Sequence, residues 1–230
     1  MSPPRPNPQY RLMGDRSLLV ELGNEIGPEI NQHVRCLYLA LQTAPLEGLT
    51  DTMPGYRSIL LVFDPLKLTP TLIQAHVDGL LQEMDPASLP EPETHRVPVV
   101  YGDEYGPDLP MVADYHQTTP EAIIQRHTAT HYRVYMIGFT PGFPYMGQLP
   151  QNLVTPRRDI PRTAVPPGSV AIAEEQTGIY PVQSPGGWQI LGFTPLRLFD
   201  PARHPPALIH MGDRVRFYAI QKQELRQWRQ

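Results

Sequence analysis

The chain has 230 residues, 19 Lys+Arg against 23 Asp+Glu and 40% apolar residues, with a mean hydropathy of -0.33; these values exclude a membrane-embedded chain and a wholly disordered one. A pI near 6.0, with Lys67 and Lys222 as the only lysines, excludes the basic stripe that phosphate-backbone binding uses, so no nucleic acid is expected as a partner. The 29 prolines, against a typical ~5% of residues, imply many fixed turns and turn-rich globular β structure.

In chain order, Met1 to Pro8 carries four prolines and no apolar core, which is read as neither a secretory nor a mitochondrial signal. Ser17 to Leu22 is a β-like run closed by Gly23. From Glu25 to Thr43, the residues Ile26, Ile30, Val34, Leu37 and Leu41 recur at helical spacing and predict one buried face. Cys36 lies among them; it cannot form an internal disulfide and reads as a core thiol, with a reactive thiol as the alternative. Pro54-Gly55-Tyr56 turns the chain into the apolar run Ser58 to Phe63. The longest apolar stretch, Ile59 to Phe63, is far short of the ~18 residues needed to span a bilayer, so no membrane is expected and a reduced, cytoplasmic setting follows by default. Thr69 is the expected N-cap of a second helix, with Pro70 at its first position and Leu72, Ile73, Val77, Leu80, Leu81 and Met84 facing the core.

Asp85 to Glu93, with three prolines and three acids, reads as a linker. The strand at 95–102 either returns to the first domain's sheet or opens the next. Thr119-Pro120-Glu121 starts a third helix that runs to about Ala129. Beyond it, Val134 to Phe139, Ser169 to Ala173, Ile179 to Gln183, Trp188 to Phe199 and Arg214 to Ile220 read as short strands between Gly/Pro turns, the pattern of a compact barrel or sandwich. The expected organisation is a domain at 1–92 and another at 103–230.

The phosphate loop, the dinucleotide fingerprint, the nucleophile elbow and a Cys cluster for zinc are all missing from the sequence, which leaves autonomous hydrolase or kinase chemistry unsupported. His127 and His131 are four apart; on a helix they share a face that could hold a divalent metal, but no metal is expected, and a hydrogen-bonded helix end or a catalytic His127 are the other readings. Gly138 to Gly147 is the densest block. Its glycines and prolines fix one loop shape bearing Phe139, Phe143 and Tyr145, suited either to ligand or partner contact or to a barrel corner. Arg157, Arg158 and Arg162 carry guanidinium forks that bind carboxylate or phosphate, or stand as ordinary surface cations. Gln176, Thr177, Tyr180 and Ser184 place uncharged donors beside glycines, which fits an amide or acyl ligand as well as hairpin turns.

Five blocks in order carry a family resemblance: Val134 to Tyr145 with Pro141, Gly142 and Phe143; Pro161-Arg162 with Val165 to Val170; Gln176 to Pro181; Ser184 to Trp188; and Thr194 to Pro201. They resemble the family that includes the B subunit of 5-oxoprolinase, the sporulation kinase inhibitor and the protein long labelled allophanate hydrolase subunit 1. The resemblance implies an α+β chain with a small N-terminal α/β (ferredoxin-like) domain and a cyclophilin-like β-barrel. It further implies a non-autonomous component that, with the homologous C subunit and the A subunit of 5-oxoprolinase, opens the lactam of 5-oxoproline to glutamate at the expense of ATP with Mg, at a site shared with a partner. In that reading Gln176, Thr177, Tyr180 and Ser184 surround the amide or acyl-phosphate, Arg157 and Arg162 face phosphate oxygens, and His127 is the candidate proton carrier. Two alternatives stand beside it: an inhibitor that docks the Phe139, Phe143, Tyr145 loop on a sensor histidine kinase, and a urea or allophanate pathway component. The chain departs from the family pattern at Gln148, Glu174 and Phe193, where Gly, Gly and Arg are expected.

Overall fold

The computed structural model describes residues 7–228; the proline-rich start, Met1 to Pro6, lies outside them. The chain divides into two compact units, Met1–Glu91 and Pro92–Gln230.

The first unit contains β1 (Gln9–Leu12), β2 (Ser17–Glu21), α1 (Pro28–Thr43), β3 (Leu49–Pro54), β4 (Ser58–Phe63) and α2 (Pro70–Glu83). Its strands form one sheet in the order β1-β2-β4-β3, with antiparallel pairing throughout. In β2 and β4 alternate residues are fully buried, namely Leu18, Val20, Ile59, Leu61 and Phe63, so the apolar run at 58–63 is a one-faced strand and not one buried on both sides. Val34, Leu37 and Leu41 of α1 and Ile73, Val77 and Leu81 of α2 are buried with them. Ile26 precedes the helix and is exposed, as is Leu72, which narrows both expected helix faces. Pro28 opens α1, and the Thr69 hydroxyl accepts from Leu72 N to cap α2. The strand Leu49–Pro54 is not legible in the sequence: LTDTMP has little apolar alternation because it is a sheet edge with mostly exposed side chains. The other edge is β1, pinned where the Tyr10 hydroxyl donates to Asp78 of α2 at 2.6 Å.

The second unit contains β5 (Thr94–Tyr101), α3 (Leu109–Tyr115), α4 (Pro120–Ala129), β6 (His131–Ile137), β7 (Pro144–Gly147), β8 (Arg162–Val165), β9 (Ser169–Ala173), β10 (Gln176–Ile179), β11 (Ser184–Gly186), β12 (Gln189–Phe193) and β13 (Arg214–Ala219). Seven strands close a barrel in the order β10-β7-β6-β13-β5-β12-β9, and β8 and β11 pair outside it. Strand β5 therefore belongs to the barrel and not to the first sheet: it pairs parallel with β13 and antiparallel with β12. The arrangement is the α+β, cyclophilin-like barrel that the resemblance implies. Thr119 caps α4 through Ala122 N, and the helix ends at Ala129. His131 is then an exposed residue of β6 while His127 is fully buried, so the two imidazoles do not share a helix face and cannot act as a helical metal pair.

One end of the β5–β13 ladder carries a titratable latch. His95 Nε2 lies 2.9 Å from Asp213 Oδ2, which also accepts from His210 N at 2.8 Å; Glu93 and the His210 ring flank the pair at 3.9 and 3.6 Å. The hydrogen bond to Asp213 raises the His95 pKa above its ordinary value. The folded state thus holds the proton more tightly than the unfolded chain, and the stabilisation is fully present below about pH 6.5 and fades as pH rises through the folded value. Thermal unfolding of His95→Gln is expected to lose this component; the native chain's advantage over the variant should shrink as pH rises above about 6.5, and an advantage independent of pH there would contradict the assignment.

Candidate functional site

The loop between β6 and β7 builds the first wall. Gly138 N donates to Phe143 O, Thr140 N to Gly138 O at 2.7 Å and Phe143 N to Thr140 O at 3.0 Å. The Thr140-Pro141-Gly142-Phe143 segment is a turn with proline second and Gly142 third, at a φ of 81° that a side chain resists. Phe139 sits at φ 64° inside the Gly138–Thr140 bond, a strained conformation for a bulky residue, and its ring is 59% exposed. Pro141 is exposed, and Gly142 packs on Phe199, so both shape the loop without lining the cleft.

Below the loop, Phe143 is buried and meets Tyr180 edge-on at 5.1 Å and Trp188 at 5.5 Å; Tyr145 lies 5.8 Å from Trp188. The Phe143 ring rests over Gly178 of β10, where a Cβ would approach it to 2.7 Å. These aromatics, with Arg157, Arg158, Pro161, Pro185, Gly186 and Gly187, enclose a cavity of about 290 Å³. Burial pushes the Tyr180 hydroxyl up to about 12 and raises that of Tyr145, while Arg157 pulls both the other way. Both phenols are therefore neutral donors near pH 7.

A buried carboxylate organises the cationic side. Asp108 is 4% exposed; its Oδ1 accepts from Arg158 at 2.9 Å and Arg162 at 2.7 Å, and its Oδ2 accepts from Ile190 N at 2.7 Å. Arg162 thus donates to Asp108 through Nη2, its Nη1 is buried without a partner among the described residues, and it is not among the residues that line the cavity. Arg157 is exposed, lines the cavity and makes no ion pair or side-chain hydrogen bond among the described residues. Arg158 Nε and Ser184 Oγ are buried without a partner among the described residues. Ser184 lies in β11 directly before two lining residues.

The other expected residues go elsewhere. His127 is in the barrel core, stacked on Phe217 at 4.5 Å. Its Nδ1 accepts from the Tyr101 hydroxyl at 2.7 Å, and its Nε2 lies 3.0 Å from Thr177 Oγ1. Because the Thr177 hydroxyl donates to Ala171 O at 3.0 Å, it accepts from Nε2–H, and the tautomer follows. Burial lowers the His127 pKa to about 3. His127 is a neutral structural imidazole rather than the expected proton carrier, and Thr177 is its partner rather than a ligand contact. Gln176 is half-buried at the start of β10, outside the cavity lining. Asp108 does not stand out in the sequence: a lone aspartate in Gly-Pro-Asp-Leu-Pro carries no sign of partners 50 and 54 residues away.

Of the departures, Glu174 has φ 51°, in the β9–β10 turn, where a glycine would adopt the conformation without strain. The Phe193 ring lies tilted 5.5 Å from that of Tyr105 and closes over Gly168. Gln148 is exposed beside β7.

A barrel of this topology, with an aromatic and arginine-lined cleft beside it, defines the class, and the comparisons agree. The chain belongs to the family described as carboxyltransferase domain, subdomain C and D, whose model matches residues 8–209. It is 35% identical over 226 residues to the 5-oxoprolinase B subunit of Bacillus subtilis, covering 94% of each chain. It is 60% identical over 121 residues to the Haemophilus influenzae protein of that name, covering 53% of this chain and 57% of that one. Among solved structures, TTHA0988 aligns with a TM-score of 0.79 and 37% identity over 90% of this chain, which spans 40% of that longer one. The Kluyveromyces lactis urea amidolyase, at 21% identity and a TM-score of 0.79, covers 96% of this chain, which spans 15% of that one, and shares the fold.

Proposed function

We propose that this chain is the B subunit of a 5-oxoprolinase, opening the lactam of 5-oxo-L-proline to L-glutamate with the homologous C subunit and the A subunit, in a cytoplasmic setting. The observation that carries the reading is the end-to-end correspondence with the Bacillus subtilis 5-oxoprolinase B subunit, 94% of each chain. In this reaction water adds at the lactam carbon, the ring C–N bond breaks and the nitrogen leaves as the amine of glutamate; ATP hydrolysis supplies the driving force.

The residues present do not by themselves fit ATP with Mg. The cavity of about 290 Å³ has no carboxylate among its described lining residues and sits at the small end of the ~300–1,000 Å³ of drug-sized ligand sites; Asp159 lines only the adjoining hollow that shares Arg157 and Arg158, and no group of three His, Cys, Asp or Glu stands together for a metal among the described residues. In this reading the nucleotide is held by the partner subunits, and this chain binds and orients the acid while its aromatic walls exclude water. The proposal is tested by phosphate release from ATP by this chain alone and with candidate A and C subunits, with and without 5-oxoproline. Release only in the full mixture, and only with 5-oxoproline, supports it. Silence in every mixture, with all components folded, overturns it and favours the kinase inhibitor, for which the exposed Phe139 ring would be the anchor.

A further inference from the structure

The cleft has an unbalanced chemistry. Its only charged lining residues are Arg157 and Arg158, and Asp108 already holds Arg158. Arg157 has no such partner among the described residues, and it lines the same cavity as Tyr145 and Tyr180. Arg158 Nε adds a buried N–H without an acceptor among the described residues. The described lining carries two guanidinium groups and two phenols but no carboxylate, a set that an anion with planar oxygens complements. One uncommitted guanidinium matches a single negative charge, not a triphosphate. The walls are packed ring on ring: Phe143 meets Tyr180 and Trp188 edge to face, and Phe139, whose φ is 64°, lines the cleft and meets Phe143 and Tyr180 in the same way. A cavity of about 290 Å³ between such rings suits a single small ring.

We propose that this cleft is a receptor for a small cyclic carboxylate, with Arg157 as the residue that selects the carboxylate, and that the chain binds 5-oxo-L-proline there without nucleotide or partner. The choice of acid rests on the functional reading above; the receptor chemistry does not. Trp188 lines the cleft and Trp228 is the one other tryptophan, so fluorescence of the full chain in a Trp228→Phe background reports occupancy directly.

Titration with 5-oxo-L-proline should give a saturable change. 2-Pyrrolidinone, the same lactam without its carboxylate, should bind about tenfold or more weaker, and inorganic phosphate and ATP should give no saturable change at the same concentrations. Arg157→Gln should weaken 5-oxo-L-proline about tenfold or more, the scale of a lost charge-assisted pair, with an unchanged near-ultraviolet dichroism spectrum because Arg157 is exposed; Arg157→Lys should retain part of the affinity. Equal binding of 2-pyrrolidinone, indifference to Arg157→Gln, or preference for phosphate overturns the proposal. If 5-oxo-L-proline fails to bind while the full mixture still makes glutamate, the receptor falls and the functional reading stands. If the acid binds as described and no mixture makes glutamate, the reverse holds.

Discussion

Replacing Asp108 by alanine is expected to destabilise the barrel unit by about 3–5 kcal/mol, the cost of removing one partner from a buried ion pair. Three donors lose their acceptor at once: Arg158, Arg162 and the Ile190 amide. Two of them sit on the segments that frame the cleft, so the loss of stability should come with a loss of 5-oxo-L-proline binding even under conditions where the variant is folded. Asp108→Asn separates the contributions. Its amide oxygen can still accept from Ile190, so it should cost less than alanine, and its lost charge leaves two guanidinium groups facing each other. Urea unfolding followed by Trp188 emission in the Trp228→Phe background measures both. A cost below about 1 kcal/mol for Asp108→Ala, the range of an exposed pair, would show that the carboxylate does not organise the site.

His127→Ala is expected to cost about 3–5 kcal/mol, because it opens a cavity beneath Phe217, leaves the Tyr101 hydroxyl without its acceptor and removes the donor to Thr177. The pH dependence gives the sharper signature. With a folded pKa of about 3 against an ordinary value near 6.5, the folded state binds fewer protons than the unfolded chain. Stability from this group is therefore full above about pH 6.5 and drains as pH falls toward the folded value. This slope opposes that of His95, so the single variants resolve the two. His127→Gln should flatten the acid limb while leaving turnover per folded molecule in the reconstituted mixture unchanged. A collapse of turnover with stability intact would return His127 to the role of proton carrier.

Local signals in the chain are strong where the physics is local. Thr69 and Thr119 cap their helices because the first-turn amides of Leu72 and Ala122 have no acceptor within the helix and the threonine hydroxyl supplies one. The Gly138 to Gly147 block is as constrained as its glycines and prolines imply, and Phe139, Phe143, Tyr145, Tyr180 and Arg157 do converge on one cleft. What stays hidden depends on distant partners. Arg157 and Arg162 look alike in sequence, and only the position of Asp108 makes one committed and the other uncommitted. Thr177 and Tyr180 are three apart, yet β10 sends Thr177 to His127 in the barrel core and the chain beyond it carries Tyr180 to the cleft. Strand β3 escapes detection because an edge needs no apolar alternation, and β5 is ambiguous because its partners β12 and β13 lie about a hundred residues downstream.

The most direct measurement of the central claim is the yield of glutamate and phosphate from 5-oxo-L-proline and ATP in a mixture of candidate A and C subunits, with and without this chain. Equal amounts of glutamate and phosphate when the chain is present, and neither when it is omitted, are the predicted result; undiminished glutamate formation without it would contradict its assignment as a required component.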